Sequence, residues 1–144
     1  MLYTKMTKTA MKISFEAHKN QLDKSGLPYV FHPFHLAEEM LDEDSTVVAL
    51  LHDVIEDSAL TPEELIRAGI SERCVEAILL LTHGDSVPYM AYVAAIKHNP
   101  IARAVKLADL RHNSDLSRLD FPTERDIIRR EKYLEAIKLL ESPD

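Results

Sequence analysis

Apolar residues recur three and four positions apart along almost the whole chain, and no stretch alternates apolar and polar residues as a half-buried strand does. This spacing places apolar side chains on one face of a helix. The pattern predicts an all-α fold, with one domain over residues 1–144 built as a compact bundle of about seven or eight helices. The predicted helices lie at about residues 3–21, 33–41, 46–54, 62–69, 72–81, 88–97, 101–113 and 123–141.

The third and the last of these helices differ in character. The third is apolar on most sides from Val47 to Leu51, so it is predicted to sit centrally in the core. The last mixes basic and acidic residues, which is typical of a solvated face. Its apolar residues are expected to pack inward: Ile127, Ile128, Leu134, Ile137 and Leu140.

The chain has only three glycines, Gly26, Gly69 and Gly84, and they lie far apart. Glycine-rich phosphate loops and dinucleotide-binding turns need clustered glycines, so the sequence excludes both. The net charge of −7 excludes a generic nucleic-acid binder, because such proteins rely on many Lys and Arg contacts to phosphate. A small anionic ligand held at a local basic or metal site remains open.

The single cysteine, Cys74, cannot form an internal disulfide, which favours a reducing, cytoplasmic setting. Lysines interrupt the first stretch, so no signal peptide is predicted. No apolar run reaches the ~20 residues that a membrane span needs. We therefore expect no membrane association, and the sequence does not indicate an oligomeric state.

The segment His52-Asp53-Val54-Ile55-Glu56-Asp57 concentrates four titratable side chains directly after an apolar run. On a helix His52 and Glu56 share a face, as do Asp53 and Asp57. Burying such groups costs several kcal/mol unless they are paired or bound to metal. The segment therefore predicts a cation site, the alternative being a solvated helix face with a His–Glu pair.

Two further residues extend this prediction. His32 precedes a proline at a predicted helix start, and Asp109 ends an apolar stretch. Together with the segment above they supply two imidazoles and two carboxylates from three helices, which leaves coordination positions for water and substrate. The proposed ligands are His32, His52, Asp53 and Asp109. Their chemistry alone suits manganese, iron, zinc or magnesium to varying degrees.

The order of these residues resembles the HD phosphohydrolase superfamily, and more closely the RelA/SpoT-type (p)ppGpp hydrolase domain. Three blocks carry the resemblance: Ala17-His18-x-x-Gln21-x-x-Lys24-Ser25-Gly26-x-Pro28-Tyr29-Val30-x-His32-Pro33, Ala49-Leu50-Leu51-His52-Asp53-Val54-Ile55-Glu56-Asp57, and Val105-Lys106-Leu107-Ala108-Asp109-x-x-x-Asn113. The chain length leaves no room for a synthetase domain, so the sequence is similar to the small stand-alone alarmone hydrolases.

The resemblance implies a Mn²⁺-dependent hydrolase in which metal-activated water removes the 3′-pyrophosphate of (p)ppGpp, a small nucleotide substrate. The family's ligands match the four residues already proposed. Its catalytic pair matches Glu56 and Asp57, Glu56 as general acid or base and Asp57 to orient water or hold Glu56. Lys24, Ser25 and Asn113 match positions near the nucleotide, Lys24 as a point charge for a phosphate.

One residue departs from the family pattern. Asp23 stands before Lys24, where the family usually has a basic residue that lies against guanine. A carboxylate cannot stack on a base as a guanidinium can. One alternative that follows is an HD phosphohydrolase acting on a different nucleotide. A third reading, a catalytically silent domain that binds a nucleotide or a partner, is disfavoured because all four candidate ligands and the pair Glu56–Asp57 are present.

Overall fold

The computed structural model describes residues 1–143, whose secondary structure is helical apart from one isolated antiparallel bridge between Leu22 and Pro28. Within this range lie eight helices of seven residues or more, one single-turn helix and one 3₁₀ helix at Leu116–Arg118. None of them combines the length and apolar character needed to cross a bilayer. The predicted all-α bundle is confirmed. The α-helices are α1 (Lys5–His18), α2 (Phe31–Glu38), α3 (Glu43–Leu51), α4 (Val54–Asp57), α5 (Pro62–Ala68), α6 (Glu72–Leu81), α7 (Tyr89–Ile96), α8 (Pro100–Asn113) and α9 (Glu124–Glu141).

Helix α3 forms the centre of the bundle. Every residue from Ser45 to Leu51 is buried, and α1, α2, α6 and α8 all pack against it. Removing this apolar surface from water contributes about 25 cal/mol per Å². The central position predicted from the apolar run is confirmed.

Helix α9 packs through a narrower face than its sequence suggested. Ala136 and Leu140 are buried, whereas Ile127, Ile128 and Leu134 are 47%, 61% and 41% exposed. The expectation that these last three pack inward is wrong. The reason is that α9 lies on the outside of the bundle, where it packs mainly along α7 and α8.

Side chains at helix starts account for several boundaries. The Thr61 hydroxyl accepts from the backbone N–H of Glu64 while the Glu64 carboxylate accepts from that of Thr61, which is a capping box. Helix α3 begins at Glu43, three residues before the start predicted at residue 46, and is capped by Asp42. The Oδ1 of Asp42 accepts from the backbone N–H of Ser45 at 2.8 Å, which satisfies a free donor of the first turn.

The helix predicted over residues 46–54 is interrupted where the polar segment begins. Helix α3 ends at Leu51, His52 and Asp53 form a turn, and α4 begins at Val54. Asp53 has φ −109° and ψ 0°, away from regular helical values. In a regular helix neighbouring side chains diverge by about 100°. The interruption instead turns His52 and Asp53 toward one site.

Candidate metal and nucleotide site

Two histidines and one aspartate, all buried, meet between three helices. His32 lies on α2, His52 directly follows α3, and Asp109 lies on α8. The Nε2 of His32 is 2.8 Å from Oδ1 of Asp109, and the Nε2 of His52 is 3.7 Å from the same oxygen. One potential ligand atom from each residue lies within 4.8 Å of the others, which is compatible with a single metal ion. We call these three residues, His32, His52 and Asp109, the metal cluster, because they could hold one metal ion together.

Asp53, the fourth predicted ligand, borders the metal cluster. Its Oδ2 lies 3.1 Å from Nε2 of His52 and accepts a hydrogen bond from the hydroxyl of Tyr29. The Asp53 side chain is 20% exposed, against 4% for His52. The structure thus brings all four predicted ligands together, and their role as ligands stays a prediction.

The orientation of His52 fits a divalent cation. Its Nδ1 donates to the backbone carbonyl of Ala49 at 2.7 Å, so the ring is fixed with Nε2 toward the carboxylates. That Nε2 is buried and makes no hydrogen bond. A buried imidazole nitrogen that lies 3.1 and 3.7 Å from two carboxylate oxygens belongs to a donor set that suits such an ion.

Asp109 is held as a carboxylate inside the protein. Burial alone would raise its pKa, but the Nζ of Lys106 lies 3.0 Å from its Oδ2 and two imidazoles approach its Oδ1. The pKa of Asp109 therefore lies well below its ordinary value. Asn113 adds a hydrogen bond from Nδ2 to Oδ1 at 3.0 Å. Asn113, predicted to lie near the nucleotide, thus also orients a candidate ligand.

His52 and Asp53 influence each other's ionisation. Burial lowers the pKa of His52, but the carboxylates of Asp53 and Asp109 outweigh it and hold that pKa well above the ordinary value. Burial likewise opposes ionisation of Asp53, yet His52 lowers its pKa to about 2. A proton on His52 and a divalent cation would therefore compete for the same place beside the carboxylates of Asp53 and Asp109.

Glu56 lies beside the metal cluster. Its Oε1 accepts from the backbone N–H of His83 at 2.5 Å. It lines a cavity of about 160 Å³ together with Lys106 and two residues of the metal cluster, His52 and Asp109. Burial raises the pKa of Glu56. A carboxyl group with a raised pKa next to candidate ligands suits proton transfer.

Asp57 lines a different surface cavity from Glu56. Its Oδ2 accepts from Nε2 of Gln21 at 3.2 Å, and the Oε1 of Gln21 accepts from Nδ1 of His18 at 2.9 Å. His18 has no exposed surface. A buried histidine therefore fixes the amide that holds Asp57, a connection that sequence reasoning missed although His18 and Gln21 belong to one of the three sequence blocks.

A cavity of about 340 Å³ also reaches the metal cluster through His32. It is called the larger cavity because it exceeds the cavity of about 160 Å³ at Glu56. The three predicted substrate-binding residues all line it: Lys24, Ser25 and Asn113. A cavity of this size lies at the small end of the range for ligand pockets.

Sequence reasoning missed two arginines that line the larger cavity, Arg118 and Arg129. The Nη2 of Arg118 is 3.9 Å from Asp23, while Arg129 and Lys24 approach Oδ1 of Asp126 at 3.3 and 3.5 Å. The cavity thus presents three cations from three segments. Arg129 was missed because the mixed basic and acidic residues of α9 are typical of a solvated helix face.

The two carboxylate oxygens of Asp126 make different contacts. Its Oδ2 accepts from the backbone N–H and the hydroxyl of Thr123, both at 2.9 Å, as part of the capping box of α9. Its Oδ1 faces Lys24 and Arg129. One residue therefore starts the last helix and positions two cations of the larger cavity.

Asp23 closes a turn at the larger cavity. Its Oδ1 accepts from the backbone N–H groups of Ser25 at 2.9 Å and Leu27 at 3.0 Å, around Gly26, which has φ 79°. The Ser25 hydroxyl donates to the carbonyl of Arg118 at 2.7 Å. Asp23 is a turn-capping residue, and Ser25 ties this turn to the 3₁₀ helix.

His112 contacts a candidate ligand and was also missed. Its Nδ1 lies 2.7 Å from Nδ1 of His32, and the two rings are inclined by 8°. His35 stacks on His112 at a centroid distance of 4.0 Å. Burial, with the nearby Arg118, lowers the pKa of His112 to about 3. The position of His112 on α8, one helical turn after Asp109, is a signal that could have identified it.

Several known proteins are similar to this chain in sequence. No family model matches the chain. It is 44% identical over 115 residues to a guanosine-3′,5′-bis(diphosphate) 3′-pyrophosphohydrolase of Haemophilus influenzae, and 34% identical over 123 residues to a GTP pyrophosphokinase of Myxococcus xanthus. A bifunctional (p)ppGpp synthase/hydrolase SpoT of Escherichia coli is 32% identical over 124 residues. These matches cover 70% to 76% of the chain but only 16% to 18% of the relatives.

A solved structure shows the same fold. It belongs to a metazoan ortholog of SpoT that hydrolyses ppGpp, and it superposes with a TM-score of 0.77 at 19% identity. The match covers 99% of this chain and 89% of that one. The chain is thus similar in sequence to one part of these longer relatives, and it has the fold of the SpoT ortholog.

Proposed function

We propose that this chain is a metal-dependent hydrolase that removes the 3′-pyrophosphate of (p)ppGpp, with pyrophosphate and GDP or GTP as products. One observation carries the proposal: the metal cluster borders both the cavity that holds Glu56 and the larger cavity, whose wall carries three Lys and Arg side chains beside three carboxylates. The names of the Haemophilus and Escherichia relatives support this choice of substrate.

The residues present fit a divalent cation, and Mn²⁺ is the ion that the family resemblance implies. Four side chains would hold it: His32, His52, Asp53 and Asp109. When bound, such a cation supplies a water nucleophile near neutral pH and offsets charge on the phosphate oxygens. Lys106 and Asn113 keep Asp109 ionised and oriented for this task.

Glu56 is the proposed general acid or base. Its raised pKa lets the carboxyl group take a proton from water or give one to the leaving oxygen within the same pH range. Asp57 is proposed to act beside it, held in place by Gln21. The hydrogen bond from the His83 backbone fixes one oxygen of Glu56 and leaves the other for this proton.

The larger cavity is the proposed nucleotide site. Lys24, Arg118 and Arg129 supply positive charge for phosphate groups, and Tyr133 adds an aromatic side chain to the wall. Ser25 is proposed to act chiefly by shaping this wall, since its hydroxyl already donates to Arg118.

A hydrolase of a different 3′-phosphorylated nucleotide is the second candidate. The observation that favours it is the engagement of Asp23 in its turn, which leaves no group at this position to stack on guanine. Base selection would then depend on other residues of the larger cavity.

An assay with Mn²⁺ that measures release of both pyrophosphate and orthophosphate tests both candidates, because a 3′-diphosphate yields pyrophosphate and a 3′-monophosphate yields orthophosphate. The substrates are ppGpp, pppGpp, a 3′-phosphoadenosine nucleotide and ordinary nucleoside triphosphates. Strong turnover of the two guanosine substrates alone supports the first proposal, and turnover of the adenosine nucleotide alone supports the second. A protein that binds nucleotide but turns over none of them with Mn²⁺, Mg²⁺, Zn²⁺ or Fe²⁺ overturns both and indicates the catalytically silent domain.

A further inference from the structure

The ring of His112 is placed between two histidines of α2. On one side its Nδ1 meets Nδ1 of His32 at 2.7 Å, with the rings nearly parallel. On the other side His35 stacks against it. The backbone carbonyl of His112 accepts from Nη1 of Arg118 at 2.9 Å, which fixes the end of α8 on which the ring is carried.

A separation of 2.7 Å between two ring nitrogens requires a hydrogen between them, so one ring donates and the other accepts. The other nitrogen of His32, Nε2, lies 2.8 Å from Oδ1 of Asp109 within the metal cluster, a contact in which Nε2 donates to the carboxylate. A cation bound at Nε2 would take the place of that proton. For Nε2 to offer a lone pair to a cation, the single proton of the neutral ring must lie on Nδ1. That proton then needs an acceptor, and Nδ1 of His112 is the atom in place.

We propose that His112 is a positioning residue that accepts the Nδ1–H of His32 and thereby holds His32 in the tautomer whose Nε2 can bind a divalent cation. The inference rests on the metal site of the proposed function but not on the reaction. Outer partners of metal-bound histidines serve this purpose in general, and their loss weakens metal binding by about 10–100-fold. His52 shows the same arrangement, with the Ala49 carbonyl as its acceptor.

Two substitutions separate the hydrogen bond from ring packing. His112→Phe keeps a planar ring against His35 but removes the acceptor. His112→Asn removes the ring but places an amide oxygen, bonded to Cγ as Nδ1 is, where it can accept from His32. We expect Phe to weaken binding of Mn²⁺ and Zn²⁺ by about 10–100-fold in calorimetry, and Asn to restore most of the loss.

His35→Phe is the matched control. It changes the other ring of the stack, whose own imidazole is half exposed and lies 3.2 Å from Glu39, and it should leave cation affinity unchanged. Thermal unfolding of the metal-free variants shows whether each is folded. If His112→Phe does not fold, the unaltered chain and His112→Asn still decide the question.

Nitrogen-15 NMR of the unaltered chain loaded with diamagnetic Zn²⁺ reads the tautomer directly. We expect His32 to carry its proton on Nδ1. A proton on Nε2 of His32 in the loaded protein, unchanged cation affinity in a folded His112→Phe, or equal losses for Phe and Asn would each overturn the inference. Because these readouts need no hydrolysis, they can hold even if the pyrophosphate assay fails.

Discussion

The Nε2 of His52 lies 3.1 Å from a carboxylate oxygen of Asp53, its immediate neighbour in the chain. A regular helix would separate the two side chains by about 100°. The contact therefore depends on α3 ending at Leu51 and on the turn that precedes α4. This local interruption converts two consecutive residues into one corner of the candidate metal site.

His52→Ala should abolish tight cation binding, because it removes a buried nitrogen that no hydrogen bond satisfies. The loss should exceed the roughly 10–100-fold that follows removal of an outer partner. Metal content after dialysis and calorimetry with Mn²⁺ measure it. Glu56→Gln is the matched control: it should bind the cation normally while the hydrolysis rate falls by about 10²–10⁴-fold. Full metal occupancy in the His52 variant would rule out its assignment as a ligand.

Cation binding should weaken as the pH falls. The pKa of His52 is raised by Asp53 and Asp109, so in the metal-free protein this histidine stays protonated to a higher pH than a free one. Below that pKa the proton occupies a site that the cation needs, and above it the competition ends. Affinity should thus rise with pH through the raised pKa and then level off. Calorimetry in two buffers of different ionisation enthalpy counts the released protons, and a value of zero on the acidic side would contradict this account.

Gln21→Leu should destabilise the metal-free protein by about 1–3 kcal/mol, because it leaves Nδ1 of the buried His18 without its acceptor. The Nε2 of the same ring already makes no hydrogen bond. Gln21→Glu keeps the acceptor but places a carboxylate against Asp57, so stability should fall less and the hydrolysis rate should still drop. Urea unfolding of both variants makes the comparison. Equal stability of Gln21→Leu and the unaltered chain would show that His18 does not depend on this contact.

Asp23→Ala should weaken GDP binding on the order of tenfold, which corresponds to the loss of one to two hydrogen bonds, and should leave Mn²⁺ affinity unchanged. The turn loses its acceptor for Ser25 and Leu27, and Arg118 loses its ion-pair partner. Asp23→Asn keeps the acceptor and removes only the charge, so it separates the two effects. Tighter GDP binding by Asp23→Ala would instead mean that this carboxylate repels the phosphates.

The fold and the metal cluster could be predicted from the sequence because both follow from local rules. The helix that holds Val47–Leu51 is apolar on most sides, and such a helix is expected to lie at the centre of the core. Polar residues directly after such a run are drawn into the interior, where they need partners or an ion. Asp109 was recognisable for the same reason, because it ends an apolar stretch, whereas His32 was recognisable because it precedes a proline at a predicted helix start.

The features of the fold and the site that were not predicted from the sequence depend on how segments pack against one another. Arg129 lines the same cavity as Lys24 only because α9 returns along α8, and no local pattern encodes that return. The turn at Asp53 lacks the glycine or proline that usually marks a break, so a continuous helix was the natural expectation. Burial of Ile127 and Ile128 was overestimated because periodicity gives a face but not how much of it is covered.

The two oxygens of Asp126 have a consequence for ligand exchange. An anionic ligand can draw Lys24 and Arg129 away from Oδ1 while Oδ2 keeps both of its bonds to Thr123. If the larger cavity binds a nucleotide as proposed, its charge arrangement can therefore change when the nucleotide binds or leaves, while the first turn of the last helix stays intact. Because its two oxygens make separate contacts, Asp126 can lose its cationic partners in the cavity without loss of the hydrogen bonds that begin α9.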